Sequence, residues 1–397
     1  MINRVGSLDP IARAALVPGV LVRPAQQAAI PVILRVTRAE AVGAQMRVGG
    51  LRVVDRAIKQ LARLRDAHII VATDGSVRLP KRLPRNMELK VIDGEPDAGV
   101  AALASGLSEP IVVGGDTVWL QVSRPDRGTR VVDAATRRAA EDAIFKDLLR
   151  GDLGLVARYI NKRISFPITR YLLVHLPITP NLVTLLAGFI GLWGALLIAT
   201  GTYENVLYGF LLAQAQSILD GCDGELARVR LQQSPIGEWL DTIVDDLLNL
   251  AMVLAVGLAL WHRGAPLDAS AKNVNILAGG TFWDMKMALI AAGMLLFTNI
   301  VAYRELIRQG EGGELLKIRW WFSYGQSLKS MSGAGSHSLK AVLLIGKRDF
   351  FVFAWLVLAY FDLLPVILLY MQVLAVVYAG AALGQLLTPR WKLRPPM

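Results

Sequence analysis

Cysteine and histidine are both scarce in this chain of 397 residues. A single cysteine, Cys222, excludes an intramolecular disulfide framework and a zinc site made of cysteines alone. The four histidines are too scattered for a local HxxxH motif; they are His68, His175, His262 and His337. Neither residue type therefore predicts a local metal-binding cluster.

Charged residues are also few, at 19% of the chain against 54% hydrophobic residues and a mean hydropathy of +0.44. Soluble globular proteins carry about 25% charged residues, so this composition indicates a membrane protein. It excludes a disordered protein, a collagen-like protein and a protein made of a charged tail that binds nucleic acid. The net charge of +11 is uneven, because residues 1–163 hold 26 Lys and Arg against 17 Asp and Glu, whereas residues 164–397 hold 17 against 15. The basic residues show no RNP, zinc-finger or helix-turn-helix spacing, so we expect an anionic membrane face, and no nucleic acid, as their partner.

Six apolar stretches predict membrane spans, the first of them with about 20 uncharged residues. They are Leu182–Gly201, Val206–Leu219, Glu238–Trp261, Met285–Tyr303, Phe350–Phe361 and Val366–Leu387. Thirteen Lys and Arg lie in the even-numbered connections and the C-terminal tail, and two lie in the opposite connections. The positive-inside rule then predicts a multi-pass protein of the cell (inner) membrane with both termini in the cytoplasm.

The chain is predicted to have three parts. These are a cytoplasmic α/β domain at 1–150, a linker with an interfacial helix at 151–181, and a six-helix transmembrane domain at 182–397. The interfacial helix is predicted from Ile164–Leu176, where apolar residues alternate with Arg170 and His175 before two prolines break the pattern.

Residues 31–150 alternate between strand-like and helix-like segments, which predicts an α/β sheet. The strands are predicted at Pro31–Val36, His68–Thr73, Glu88–Ile92 and Pro110–Val113, and the helices at Leu51–Leu64, Ala98–Leu107 and Asp133–Leu149. The stretch Gly49–Leu64 resembles the core of sugar-nucleotidyltransferases, in which a Val-Gly-Gly turn leads into a helix beneath the nucleotide site. Val113-Gly114-Gly115-Asp116 resembles that family's segment ending in a metal-binding aspartate.

The phosphate-binding loop of that family is missing. There, the first strand runs into a G-x-G-T-R loop whose backbone N–H groups hold the nucleotide phosphates. Here the strand is followed by Thr37–Gly43, which has no paired glycines, and Gly128-Thr129-Arg130 lies at the other end of the domain. We therefore expect a degenerate domain of this fold that does not catalyse nucleotidyl transfer.

The segment most informative about chemistry is Asp220–Asp245, with the skeleton D-x2-D-G-x2-A-R-x8-G-x3-D-x3-D. Asp220 and Asp223 are three residues apart, and Asp241 and Asp245 are four apart, so each pair lies on one face of its helix. A turn near Ser234-Pro235 would fold the second helix back against the first. The four carboxylates are therefore predicted to converge where the two spans meet the cytoplasmic interface.

Four ionised aspartates at membrane depth are unfavourable and repel one another, so hard divalent cations are their expected counterions. Ligation by oxygen alone favours Mg²⁺ or Mn²⁺. Gly224 and Gly237 allow close approach of substrate or backbone, and Ala227 keeps the groove open. The guanidinium of Arg228 can donate two parallel hydrogen bonds to phosphate oxygens. Divalent cations beside such an arginine suit phosphoryl-type transfer from a diphosphate.

At every position this spacing is similar to the signature of the CDP-alcohol phosphotransferases (CDP-alcohol phosphatidyltransferases), and the resemblance covers about residues 155–390. It implies a six-helix membrane enzyme, usually a homodimer, that moves a substituted phosphate from a CDP-alcohol to an acceptor hydroxyl and releases CMP. Such activity serves phospholipid or polyol-phosphodiester biosynthesis.

The resemblance also implies roles for individual residues. Asp245 would accept the proton of the attacking hydroxyl while touching a metal. The ligands of a pair of Mg²⁺ or Mn²⁺ ions would be Asp220, Asp223, Asp241 and Asp245, and the CDP-alcohol would be held by Gly224, Ala227, Arg228 and Gly237.

The acceptor is predicted to meet Arg304, Lys347 and Arg348, which lie at the cytoplasmic ends of the fourth and fifth spans. An acceptor with its own phosphate would explain this basic pocket, although the same residues could be positive-inside anchors only. The segment Arg158–Arg163 followed by Pro180-Asn181 resembles the branch that makes di-myo-inositol phosphate phosphate, in which a cytidylyltransferase domain precedes the membrane enzyme.

Three alternatives stay open beside the main prediction. A lipid synthase of the same family could make phosphatidylinositol phosphate or phosphatidylglycerol phosphate from CDP-diacylglycerol. A bifunctional protein could also make its own CDP-inositol-like donor. A cation transporter could use the same acids, but it would not need Gly224, Ala227, Arg228 and Gly237 at fixed spacing.

Overall fold

The computed structural model describes residues 30–63, 67–92, 95–105, 107, 111–118, 129–148, 154–264, 282–310, 312–313, 315–321 and 347–388. Two compact units are present. Unit 1 contains residues 1–45 and 53–132, and unit 2 contains residues 46–52 and 133–397. Gly128 and the basic residues of the C-terminal tail lie outside the described residues.

Unit 1 is built on a parallel sheet, as the alternation of strands and helices predicts. Its four strands are β1 (Ile30–Val36), β4 (Ala67–Thr73), β5 (Met87–Val91) and β6 (Ile111–Gly114), in the order β5-β4-β1-β6. Every neighbouring pair is parallel. The helices are α1 (Ala41–Gln45), α2 (Val53–Leu61) and α3 (Pro96–Ser105). Because β1 is an interior strand, its side chains face covering elements on both sides, and Val32, Ile33, Leu34 and Val36 are fully buried.

Two short hairpins complete the strands. The first joins β2 (Arg47–Val48) to β3 (Leu51–Arg52) and belongs to unit 2, and the second joins β7 (Thr117–Val118) to β8 (Thr129–Arg130) in unit 1. Gly49 and Gly50 make the first turn with φ values of 56° and 76°, a conformation that side chains disfavour. The predicted helix over Leu51–Leu64 therefore begins two residues late, since Leu51 and Arg52 form a strand.

Unit 2 is helical. Its helices are α4 (Ala134–Leu148), α5 (Lys162–Pro167), α6 (Pro180–Ala199), α7 (Tyr203–Val229), α8 (Pro235–Gly264), α9 (Phe282–Gln309), α10 (Arg348–Tyr360) and α11 (Leu364–Leu387). The last six share one apolar core and correspond in order to the six predicted spans. A Cβ on Gly194 of α6 would meet the Gly209 carbonyl of α7 at 2.7 Å, so this glycine allows the two backbones to pack closely.

Four of these helices are long and apolar enough to cross a membrane: α6, α8, α9 over Asp284–Gln309, and α11. Helix α7 has 27 residues but carries polar side chains through its second half, and α10 has only 13 residues. The structure thus supports a membrane protein with four candidate spans. The count of six and the side on which the termini lie stay predictions.

The interfacial segment is less regular than the predicted amphipathic helix. It consists of a π-helical turn at Ala157–Asn161, α5, a second π-helical turn at Ile168–Leu172 and a 3₁₀ turn at Leu173–His175. The small polar side chains of Ser165 and Thr169 are buried, whereas Tyr171 is 70% exposed. The segment therefore turns its small polar groups toward the protein.

A buried carboxylate on α7 explains that orientation. Glu225, only 1% exposed, accepts hydrogen bonds of 2.6 Å from Lys162 Nζ, Ser165 Oγ and Thr169 Oγ1. One turn further on, the Arg230 guanidinium donates to four backbone carbonyls between Leu173 and Ile178. The Glu225 carboxylate and the Arg230 guanidinium, both at the end of α7, therefore hold the interfacial segment in place.

Replacing Lys162 by Met should destabilise unit 2, because the Glu225 carboxylate would then be buried without its cation. Removing one partner of a buried pair lowers the free energy of unfolding by roughly 3–5 kcal/mol. Thermal unfolding in detergent, followed by tryptophan fluorescence, measures the loss. Arg163→Met removes the same charge at an exposed neighbouring position and is the control. Lys162→Met combined with Glu225→Gln should recover most of the loss, and equal midpoints for Lys162→Met and Arg163→Met would contradict the assignment.

Candidate active site

The acidic site lies between α7 and α8, as the spacing of its aspartates predicts. Ligand oxygens of Asp220, Asp223 and Asp241 lie within 4.8 Å of one another. Asp220 and Asp223 project from α7, and Asp241 projects from the second turn of α8. Two helices therefore bring three carboxylates to one point, which fits a hard cation with oxygen ligands.

The local sequence sets the angle at which α8 enters the site. Ser234 is the N-cap of α8, and its hydroxyl accepts a 3.0 Å hydrogen bond from the Gly237 N–H, with Pro235 in the first helical position. A Cβ on Gly237 would stand 3.1 Å from the Asn181 side-chain oxygen, so this glycine permits the close approach of α6. The predicted turn at Ser234-Pro235 is confirmed.

Asp223 is oriented by a residue that the sequence analysis did not identify. It is 6% exposed, and it accepts a short hydrogen bond from the Thr184 hydroxyl of α6. Asp241 is different, because its Oδ1 atom is buried with no hydrogen-bond partner among the described residues. A buried carboxylate oxygen without a donor is unfavourable unless a cation or donor meets it. The donor set and this unpaired atom fit a divalent cation held by the three aspartates.

Asp245 lies beside the three-carboxylate cluster but is held differently. Its Oδ1 accepts a short hydrogen bond from Arg348 Nη1 and lies 3.5 Å from Gln216 Nε2. Arg348 Nη1 is also 3.9 Å from Asp220 Oδ2. The structure thus places the predicted base next to the cluster and pairs it with a cation.

Three of the four residues predicted to hold the donor, Gly224, Ala227 and Arg228, lie on α7, and Gly237 lies on α8. Nothing among the described residues lies within 4 Å of a Cβ built on Gly224, so space is open beside it. Ala227 is partly buried and Arg228 is exposed. Gly224 thus leaves open space on the helix that carries Asp220 and Asp223.

The predicted acceptor residues do not share one environment. Arg348, the first residue of α10, faces the carboxylates, and Lys347 precedes it as the helix cap. Arg304 on α9 is exposed and has no ion pair among the described residues. Asp246, outside the sequence signature, accepts a hydrogen bond from the Tyr303 hydroxyl at 2.5 Å. Of the three basic residues, only Arg304 combines exposure with that lack of a partner.

In unit 1, ion pairs occupy the edge of the sheet where a nucleotide site would lie. Asp116 is 1% exposed, and both its oxygens accept hydrogen bonds from Arg130, the shortest at 2.7 Å. This hydrogen bond raises the pKa of the Arg130 guanidinium. Glu40, fully buried in the loop after β1, accepts from the backbone and hydroxyl of Thr37 and from Arg35. The Glu40 carboxylate therefore occupies the loop after β1, where sugar-nucleotidyltransferases would bind the nucleotide phosphates.

Comparison with known proteins agrees with the acidic signature. The profile of the family described as CDP-alcohol phosphatidyltransferase matches residues 177–378. Proteins named "Bifunctional IPC transferase and DIPP synthase" are similar to the chain. The one from Rubrobacter xylanophilus is 42% identical over 180 residues, which is 40% of this chain and 40% of that protein. The one from Aquifex aeolicus is 32% identical over 142 residues, or 36% of this chain and 30% of that protein.

A third relative with the same name, from Thermococcus kodakarensis, is 34% identical over 149 residues, covering 36% of this chain and 31% of the relative. The chain thus matches 30–40% of the length of these curated relatives. The profile match spans half of the chain and contains all four signature aspartates. By this match the chain belongs to the CDP-alcohol phosphatidyltransferase family.

Proposed function

We propose that this protein transfers a substituted phosphate from a CDP-alcohol to the hydroxyl of an acceptor alcohol and releases CMP. The observation that carries the proposal is the convergence of Asp220, Asp223 and Asp241 within 4.8 Å, with Asp245 beside them. Family membership supports the same reaction class.

The three aspartates would hold a pair of Mg²⁺ or Mn²⁺ ions, with Asp245 as a further ligand. When bound, such ions stabilise negative charge on the phosphoryl oxygens and on the leaving CMP. The unpaired Oδ1 of Asp241 supports this assignment, because a cation would satisfy an oxygen that no described residue reaches.

The protein's own side chains would then orient both substrates. Gly224 leaves room for the CDP group, Gly237 allows the close approach of α6 beside it, Ala227 keeps the groove open, and Arg228 binds phosphate oxygens. The acceptor oxygen attacks the phosphorus that carries the alcohol, the bond to the bridging oxygen of CMP breaks, and Asp245 takes the acceptor's proton.

We further propose a homodimer of six-span protomers in the inner membrane, with the site and both termini in the cytoplasm. The domain limits proposed are 1–150, 151–181 and 182–397. The bias of thirteen against two basic residues supports this orientation, and the exposed Tyr171 and Leu172 support contact of the interfacial segment with lipid.

A phosphorylated polyol is the acceptor class that we favour, and CDP-inositol or CDP-diacylglycerol is the donor. The relatives' name, which includes DIPP synthase, agrees with the resemblance of Arg158–Arg163 to the branch that makes di-myo-inositol phosphate phosphate. The exposed Arg304 supplies a guanidinium for an acceptor phosphate. A lipid synthase remains the second candidate, and the exposed Tyr171 and Leu172 of the interfacial segment support it. Metal-dependent CMP release by the purified protein would separate both from a cation transporter.

Asp245→Asn should abolish turnover while leaving CDP-alcohol binding largely intact. An amide cannot accept the acceptor's proton, and general-base assistance is worth about 10²–10⁴-fold. CMP release and equilibrium binding of the donor measure the two effects. Asp246→Asn is the matched control, since its carboxylate contacts Tyr303 and lies outside the signature. Near-full activity of Asp245→Asn across pH would show that the base is another group.

Arg304→Ala should raise the KM for a phosphorylated acceptor strongly and barely alter that for the donor. Losing one charge-assisted contact corresponds to about 10- to 150-fold. Steady-state kinetics with the acceptor varied measure it. Arg308→Ala is the control for net charge. Arg308 lies one helical turn after Arg304 and is paired with Glu305. Equal changes in both KM values would argue against a dedicated acceptor pocket.

Unit 1 should not make a CDP-alcohol. Arg130 occupies both oxygens of Asp116, and no glycine-rich loop follows β1, so a bound triphosphate would lack a fixed position and effective molarity would be lost. The full chain, incubated with CTP and inositol or sugar phosphates, should release no pyrophosphate above background. Metal-dependent release that disappears in Asp116→Asn would instead establish a working cytidylyltransferase and a bifunctional protein.

A further inference from the structure

The sheet of unit 1 ends on an exposed strand, β5. Among the described residues, β5 pairs with β4 on one side and with no strand on the other. Its apolar side chains are also uncovered, since Leu89 is 49% exposed and Val91 is 67% exposed. An apolar edge strand is a template for pairing with another chain. The free edge of β5 is therefore a candidate interaction surface.

The hydrogen bonds of β5 show which backbone groups face this edge. The Ile92 N–H donates to the Thr73 carbonyl of β4 at 2.8 Å. Because the N–H and C=O groups of every second residue point to the same side of a strand, those of Lys90 also face β4. The backbone groups of Leu89 and Val91 therefore point to the free edge.

An antiparallel pair of two β5 strands, centred on Leu89, would use these groups. Leu89 then lies opposite Leu89 of the second copy, and Val91 lies opposite Met87. The two Leu89 residues exchange both of their N–H···O bonds, and each Val91 N–H meets a Met87 carbonyl. The Met87 N–H takes no part, because it already donates to the Pro84 carbonyl at 3.1 Å. In this register the exposed apolar side chains of the two copies pack against one another.

The charges within β5 favour the same register. Glu88 and Lys90 lie on the other face of the strand, and the antiparallel pair places each Glu88 opposite a Lys90 of the second copy. Unlike charges that lie directly opposite stabilise a strand pair, and like charges destabilise it. A parallel pair in register would instead oppose like charges. Glu88 now meets Lys90 of its own strand at 3.7 Å, and both side chains are at least 39% exposed, so this contact is weak and can be exchanged.

The segments that flank β5 extend this complementarity. Residues 75–87 hold four Lys or Arg and no acidic residue, and residues 92–105 hold three Asp or Glu and no Lys or Arg. An antiparallel pair sets the basic flank of one copy beside the acidic flank of the other, whereas a parallel pair would set like charges together. Exposed charged residues of the two segments are Arg78, Lys81, Arg82, Arg85, Glu95 and Asp97.

We propose that the free edge of β5 is a contact between two copies of this chain, which pair antiparallel about a two-fold axis at Leu89 and join their sheets. A two-fold contact uses the same patch on both copies, so the patch must be complementary to itself. The strand and its flanks meet this condition in shape and in charge. The inference rests on the homodimer proposed above but not on the reaction.

The short length of β5 favours a second copy over a freely diffusing partner. A strand of five residues buries far less surface than a stable interface between free proteins, which needs about 1,200–2,000 Å². Copies that are held in one membrane meet at a high effective concentration, at which a weak contact suffices. Unit 1 is tethered in this way by the apolar helices of unit 2.

Leu89→Cys tests the pairing, because it places a thiol on the two-fold axis. Opposed residues of a hydrogen-bonded antiparallel pair have Cα atoms about 5.5 Å apart, which a disulfide can span. Oxidation of membranes that contain the full-length protein, with oxygen and a copper catalyst, should therefore give a cross-linked dimer on non-reducing electrophoresis. Val112→Cys is the matched control, since Val112 is 44% exposed on β6 at the other end of the sheet. The unaltered protein, whose single Cys222 is buried, gives the background.

Charge variants in the Leu89→Cys protein test the register. Glu88→Lys and Lys90→Glu each oppose like charges across the pair, so each should weaken cross-linking by about fivefold or more. Copies of the two variants, coexpressed with different tags, should cross-link to each other more than to themselves, because each opposes the charge that the other carries. A change within one copy cannot produce this preference. If Leu89→Cys does not fold, copies with Met87→Cys mixed with copies with Val91→Cys replace it, since these positions lie opposite each other.

Several results would overturn the proposal. One is equal cross-linking of Leu89→Cys and Val112→Cys, and another is equal self-pairing and mixed pairing of the charge variants. A Leu89→Cys thiol that forms no cross-link would also overturn it. If that thiol is inert to a maleimide, another segment covers the edge, and if it reacts, the edge is free.

Light scattering of the detergent-solubilised protein and CMP release report separately on the homodimer and on the reaction. A dimer that forms no cross-link at Leu89 would overturn the β5 contact and leave the proposed function standing. A monomer that releases CMP would contradict both the β5 contact and the homodimer, but not the reaction. A cross-linked dimer without CMP release would support the contact and contradict the reaction.

Discussion

Repulsion among the carboxylates between α7 and α8 is the constraint on which the rest of unit 2 depends. Asp220, Asp223, Asp241 and Asp245 converge in a space where water screens charge poorly, so each ionised group raises the energy of the others. Polar side chains from neighbouring helices compensate this negative charge. A hydroxyl from α6 meets Asp223, and a guanidinium from α10 meets Asp245. Two further helices, α6 and α10, therefore contribute partners for the charge that α7 and α8 create.

Helix α7 balances charge on two faces. Toward α8 it presents the acidic cluster and Gln216, and on the opposite side it presents Glu225 to Lys162 of the interfacial segment. A helix with polar groups on both faces is stable inside a bundle only if every group finds a partner. Because α7 carries these polar groups, it is not apolar enough to count among the candidate membrane spans, although it packs against the same apolar core as its neighbours. The need for partners also explains why a segment as irregular as 157–175 holds its place.

What the sequence could predict follows from the range of each interaction. The pairing of Asp220 with Asp223, and the turn capped by Ser234, depend on residues within one or two helical turns, so spacing alone predicted both. The contact of Thr184 with Asp223 joins positions 39 residues apart, and that of Arg348 with Asp245 joins positions 103 apart. The periodicity of hydrophobic residues along the sequence does not indicate contacts between positions so far apart. A basic residue near the end of a span looks the same whether it anchors the helix, binds an acceptor or pairs with a base.

The same residue pair, an aspartate with an arginine, has opposite consequences in the two units. In unit 1, both oxygens of Asp116 accept hydrogen bonds from Arg130, and the nearby Glu40 accepts hydrogen bonds from Thr37 and Arg35. In unit 2, Arg348 uses one oxygen of Asp245 and retains an unpaired Nε–H, so the pair can still exchange partners. A buried N–H without an acceptor is unfavourable, so Arg348 could still bind an anion, whereas both oxygens of Asp116 already accept hydrogen bonds from Arg130. This difference in hydrogen bonding depends on contacts that sequence spacing alone does not contain.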